Sequence, residues 1–198
     1  KHYGIWLQIG WAKRDGDRGT NCVTLCSPTG NHVATYEKHF TCNPFHEDST
    51  YDCGNELLIV DIAGIRLCPL ICYDLRFPEL WRLAAQVGVD VFTVSSSWPL
   101  SRIDHWKSLL IARAIENQAY VVGANRIGSD AIAAWGGCSM VISPKGEILA
   151  QCGESEEATI CAEVDLKIAN NWREEFDVLG DIKEELLGSI NVRKVTAC

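Results

Sequence analysis

Cys72 lies in the stretch "PLICYDLRFPEL", Pro69 to Leu80, between an apolar run and a proline that can open a helix. An apolar strand ending at a cysteine, a short polar connection and a Pro-initiated helix make an elbow, which exposes one side chain at the end of a sheet. The positive end of the helix and its amides are expected to lower the thiol's pKa and favour the thiolate, the form that attacks carbonyl carbon. Most cysteines are small buried hydrophobes, so the elbow alone does not make a nucleophile; a base and an oxyanion stabiliser are also required. The spacings do not favour metal chemistry. Cys22-x-x-x-Cys26 and Cys68-x-x-x-Cys72 are not Cys-x-x-Cys pairs, and none of His2, His32, His39, His46 and His105 has ligand spacing beside them. No metal is expected.

The elements around Cys72 can be read from pattern. Leu57–Ile62 and Ile65–Cys72 are apolar strand candidates joined at Ala63-Gly64, and Pro78–Val87 reads as a helix stopped by Gly88. Val89–Ser95 is a nearly continuous apolar strand of the kind covered on both faces. Ser101 to Asp104 resembles a capping box, followed by Ile103, Trp106, Leu110 and Ala114 at helical spacing, and Tyr120–Asn125 returns as a strand. Two hairpins of one form flank this region, around Ser27-Pro-Thr-Gly30 and Ser143-Pro-Lys-Gly146, where Pro presets the turn. Their repetition hints at two sheets built alike. A further strand is expected at Thr159–Val164 and a short amphipathic helix at Ile182–Gly188. Crossover units mixed with hairpins indicate an α/β sandwich, and the absence of linker or low-complexity sequence indicates one domain over residues 1–198.

The 198 residues are 47% hydrophobic and 22% charged, enough for a sizeable core. A net charge of -8 and no concentrated Lys or Arg argue against nucleic acid and anionic membrane surfaces as partners. No apolar run approaches the ~20 residues of a membrane span, and the opening residues lack the features of a signal peptide, so a cytoplasmic location is expected. In a chain of this size the ten cysteines are read as reduced thiols. The sequence begins at Lys1 and its one methionine is Met140, from which a missing natural start is expected.

"ICYDLRFPELWR" resembles the nucleophile segment of the nitrilase superfamily of carbon-nitrogen hydrolases, and "ATYEKHF" resembles that family's lysine segment. "SSWPLSRIDHWKSLLIARAIENQAYVVGANRIGSD" is similar to the segment that follows the nucleophile in bacterial-type omega-amidases, and "GCSMVISPKGEILAQ" also fits. Similarity runs from residue 1 to about 180. The resemblance implies a four-layer α-β-β-α sandwich, here without its first strand-helix-strand unit, and a Glu-Lys-Cys catalytic set. It assigns Cys72 as nucleophile, Lys38 and the backbone N–H of Tyr73 as oxyanion donors, and Glu47 as the glutamate that orients the lysine. Trp98, Asn125 and Arg126 fall in segments that border the pocket, and Arg126 is a candidate anchor for a substrate carboxylate, with surface pairing to Asp130 as its alternative. The family's general-base glutamate lies ahead of the lysine hairpin. Here the only Glu before Lys38 is Glu37, whose side chain faces the opposite way on a strand, so the base is expected to be missing from this sequence. The activity implied is hydrolysis of a small linear amide, the omega-amide of a dicarboxylic or 2-oxo acid, through a cysteine thioester and without a cofactor. The alternative is an inactive truncated remnant. Subunits of the family commonly pair, so a homo-oligomer is expected.

Overall fold

The computed structural model describes residues 2–186, 188 and 190–197. In chain order its elements are β1 Leu7–Asp15, β2 Arg18–Cys26, β3 His32–Glu37, β4 Tyr51–Asp52, β5 Glu56–Ile62, β6 Ile65–Ile71, α1 Pro78–Gln86, β7 Val91–Ser96, α2 Ile103–Asn117 and β8 Tyr120–Asn125. They continue with β9 Ile127–Ser129, β10 Ala134–Gly136, β11 Met140–Ile142, β12 Ile148–Gln151, α3 Leu166–Glu175 and β13 Asn191–Ala197.

The strands form a smaller sheet ordered β1-β2-β3, with β4 beside β2, a larger sheet ordered β12-β11-β8-β7-β6-β5-β13, and a β9-β10 ribbon. In the larger sheet β6, β7 and β8 run parallel, joined by α1 and α2 as crossovers. The two expected hairpins are β2-β3 and β11-β12, one in each sheet, closed by Ser27 N–H to Asn31 O and Ser143 N–H to Glu147 O, both 2.9 Å.

Apolar patterning sets the layers. β2 buries Cys22, Val23 and Leu25, β3 buries Ala34 and Tyr36, and both pack against β5 and β6 across the two sheets, while α1 and α2 cover the larger sheet's other face. Trp81 of α1, Trp106 and Leu110 of α2, and Leu70 and Phe92 of the sheet are all fully buried there. The fold is thus the expected α/β sandwich. Among the described residues its layers run helix, sheet, sheet, and the outer side of β1 shows Leu7, Ile9 and Trp11 at 44–49% exposure with no helix over them.

Three local expectations are corrected. Thr159–Val164 forms no strand: its residues join no ladder, and the sheet edge beyond β5 is taken by β13, which runs parallel to β5. Ser101 does not cap α2, because it lies inside a one-turn 3-10 helix, Leu100–Arg102, and Arg102 takes the cap position with no side-chain bond. Of the helix expected at Ile182–Gly188, Glu184–Leu186 form a single 3-10 turn, and Leu187 lies outside the described residues.

Candidate active site

The chain brings three carboxyl strand ends together, and the site is built where they stop. β3 ends at Glu37, so Lys38 follows; β6 ends at Ile71, so Cys72 follows; β7 ends in Ser95-Ser96. Lys38, Cys72, Glu47 and Ser95 to Ser97 line one cavity of about 490 Å³. Carboxyl ends of neighbouring parallel strands are the usual place for a ligand, because the connecting turns leave side chains unpaired there.

Cys72 begins a 3-10 turn, Cys72–Arg76, with a backbone φ of 45°, in the left-handed region that a side chain with a Cβ rarely adopts. Such strain persists only when surrounding bonds over-determine it. Here Asp74 accepts from Ile71 N–H at 3.0 Å, Trp81 Nε1 donates to the Asp74 carbonyl at 3.2 Å, and Arg113 donates to the Leu75 carbonyl at 2.9 Å. The thiol itself donates to Ser97 O at 4.0 Å. Tyr73 follows at the second position of the turn, where a backbone N–H has no intrahelical acceptor.

The expected lowering of the thiol's pKa does not hold. Burial pushes the Cys72 thiol above its ordinary value, and the Lys38 ammonium opposes that rise without cancelling it. The resting thiol is therefore largely protonated at neutral pH, and attack needs a proton acceptor.

Lys38 is 1% exposed and its ammonium donates to Glu47 Oε2 at 2.5 Å. Burial pulls the Lys38 pKa down, but the Cys72 sulfur whenever it ionises and the Glu47 carboxylate at all times raise it by more, so the lysine stays charged. Glu47 is fixed in turn: Oε2 also accepts from Cys42 N–H at 2.6 Å, and Oε1 from Asn21 Nδ2 at 3.4 Å. The Lys38 segment is held from behind by Gly54, whose N–H donates to Lys38 O at 2.7 Å. A Cβ at Gly54 would lie 2.2 Å from Glu37 O, so only glycine fits this approach.

A second arm of about 250 Å³ leaves Cys72 between Tyr73, Arg76, Trp98 and Arg102. The Arg76 guanidinium lies 4.6 Å from the Trp98 ring centroid and Arg102 lies 5.5 Å from that of Phe45. Among the described residues neither guanidinium meets a carboxylate, so two cations face the arm. Trp98, 2% exposed, forms a wall of this arm.

Asn125 and Arg126 are not brought to Cys72. The Asn125 amide is used up within the fold: Oδ1 accepts from Trp98 N–H at 2.6 Å, and Nδ2 donates to Gly137 O at 2.7 Å and Trp98 O at 3.3 Å. Asn125→Ala leaves those groups unpaired and is expected to lower unfolding stability by about 2 kcal/mol, measured by urea denaturation. Arg126 pairs with Asp130 at 2.7 Å and lies over Trp135, on a depression separate from the thiol's cavity. The N–H groups of Ala133 and Ile132 foremost, with Trp135 and Arg126 behind them, hold the Asp130 carboxyl down at about 2. This knot orients Trp135, which does line the main cavity. Sequence reasoning passed over Ser95 to Ser97 and Arg102; a polar Ser run ending an apolar strand beside the elbow strand was the available signal. Among the described residues no cluster of His, Cys, Asp and Glu is placed to hold a metal, and no helix is long and apolar enough to cross a membrane.

Residues 1–174 match the carbon-nitrogen hydrolase family. The chain belongs to that family. This carbon-nitrogen hydrolase chain is 37% identical over 187 residues to the 2-oxoglutaramate amidase of Bacillus subtilis, covering 94% of this chain and 72% of the relative. It is 40% identical over 165 residues to Omega-amidase YafV of Escherichia coli, covering 83% of this chain and 63% of that relative. It thus spans under two thirds of the E. coli protein's length. Among solved structures it is similar to a CN-hydrolase superfamily protein from Xanthomonas campestris, XC1258, described with an arsenic adduct in its active site. That match has 28% identity and a TM-score of 0.86 over 93% of this chain and 72% of the other.

Proposed function

We propose that this carbon-nitrogen hydrolase chain carries the nucleophile and oxyanion site of an amidase that cleaves the omega-amide of a small dicarboxylic or 2-oxo acid, releasing ammonia. The observation that carries the reading is the buried Lys38 ammonium, held charged by Glu47 on the wall that Cys72 shares. The names of the two curated relatives support the substrate class. In the reaction the Cys72 thiol gives up its proton and its sulfur bonds to the amide carbon. Lys38 and Tyr73 N–H hold the oxyanion, the C–N bond breaks as the nitrogen takes the proton, and water then cleaves the thioester. The family resemblance gives the proton transfers to a glutamate ahead of the Lys38 hairpin, while Glu47 orients Lys38.

The cationic arm supports an anionic tail on the substrate, since guanidinium groups pair bidentately with carboxylate. Arg76→Leu is expected to lower kcat/KM for 2-oxoglutaramate by roughly 10- to 100-fold while leaving a neutral amide of similar length within about twofold, in steady-state ammonia assays. Equal losses on both amides would remove the arm from substrate recognition.

A second reading, amide binding without turnover, is favoured by one fact: among the described residues Glu47 is the only carboxylate lining the cavity, and it is already engaged by Lys38 and Cys42. Continuous ammonia release from 2-oxoglutaramate decides for hydrolysis. A chain that binds the amide yet releases none decides for the second reading.

A further inference from the structure

Beneath the elbow lies a buried carboxylate that the proposed reaction does not use. Asp74 is fully buried and joins both catalytic segments. Oδ2 accepts from Ile71 N–H at 3.0 Å, just before Cys72, and from the Tyr36 hydroxyl at 2.8 Å, two residues before Lys38. Oδ1 accepts from Phe40 N–H at 3.0 Å, two residues after Lys38. Three donors thus converge on one side chain, and no other bond among the described residues ties the lysine segment so directly to the nucleophile turn.

We propose that Asp74 is a positioning residue which, as a carboxylate, sets the strained Cys72 turn against Lys38. The reason is the donor count. A carboxylate accepts from all three donors at once, whereas a proton on Oδ1 would turn away the Phe40 N–H and one on Oδ2 would compete with the Ile71 N–H and the Tyr36 hydroxyl, so protonation weakens a bond between the lysine segment and the strained turn wherever it falls. The groups around Asp74 act on its charge in both directions. Lys38 and the three hydrogen bonds favour the charged form; Cys68 on β6 is neutral, because burial and Asp74 push its thiol upward. His39, stacked on Tyr36, is pushed toward its neutral form by burial, and Tyr36 itself stays protonated. Burial outweighs the favourable bonds and places the Asp74 carboxyl at about 6.

The sign for stability is opposite to that for reactivity. A folded-state pKa above the unfolded value means that Asp74 favours the fold at low pH and loses that contribution as pH rises from about 4 through about 6. The turn is correctly set only above that range.

The inference rests on Cys72 being the nucleophile, so its test avoids amide turnover: the rate of Cys72 alkylation by iodoacetamide, read on its own peptide by mass spectrometry. Exposed Cys53 serves as internal reference and buried Cys22 and Cys68 as reporters of unfolding. In the wild-type chain, log rate at Cys72 is expected to climb about two units per pH unit below roughly pH 6 and one unit above it, while Cys53 climbs one throughout. Asp74→Asn is expected to slow Cys72 at pH 8 at least tenfold, with Cys53 unchanged and no break near pH 6. A wild-type slope of one throughout, or a folded Asp74→Asn chain alkylated within twofold of wild type, overturns the proposal. If Asp74→Asn exposes Cys22 and Cys68, the wild-type profile alone decides.

Discussion

On the proposed reaction, Cys72→Ala is expected to abolish amide hydrolysis, a loss on the order of 10⁴-fold or more in kcat, with folding stability held to within about 1 kcal/mol. The asymmetry follows from the turn. Alanine keeps a Cβ and therefore the same strained φ of 45°, and it removes one sulfur that makes a single weak bond to Ser97 O. The backbone bonds that hold the elbow belong to Asp74, Trp81 and Arg113 and are untouched. Only the acyl acceptor is lost. Ammonia release and a thermal melt on the same sample check both halves; a large drop in melting temperature would mean that the thiol itself supports the turn.

Lys38→Met is expected to lose roughly 10²- to 10³-fold in kcat, the usual cost of one oxyanion donor, and unlike Cys72→Ala it also costs stability. Removing the ammonium leaves the Glu47 carboxylate, 20% exposed, without its cation, a penalty of about 3 kcal/mol in urea denaturation. It also removes the largest influence that lowers the Cys72 thiol, so the pH at which the thiol ionises moves upward. An alkaline shift of the alkylation profile together with the fall in kcat would show that Lys38 acts on both sulfur and oxyanion. A fall in stability with unchanged kcat would confine it to a structural role.

The parts of this site that could be read in the sequence were those fixed by local pattern. The apolar run into Cys72 followed by Pro78 specified strand, turn and helix, and the two Ser-Pro-x-Gly turns specified a hairpin in each sheet. Lys38 and Glu47 emerged only through resemblance, because nothing local states that a lysine after β3 turns inward to meet a carboxylate nine residues later. What stayed hidden depended on packing. The thiol's pKa was misjudged because the helix-end argument carries no information on burial, and burial proved the larger effect. Asn125 and Arg126 were placed at the pocket by segment; in the fold, Asn125 closes two loops and Arg126 finds Asp130 four residues away. Likewise, nothing local announces that the fold sets Arg76 on the face of Trp98. β13 pairs with β5 across most of the chain, a register no local pattern announces.

The central claim is that Cys72 accepts an acyl group from a small omega-amide. The direct measurement is acid quench of the chain seconds after mixing with 2-oxoglutaramate, followed by peptide mass spectrometry. The account predicts a mass increase on the Cys72 peptide equal to the substrate less ammonia, absent from Cys72→Ala. No acyl mass at Cys72, or the same mass on another residue that persists in Cys72→Ala, would contradict it.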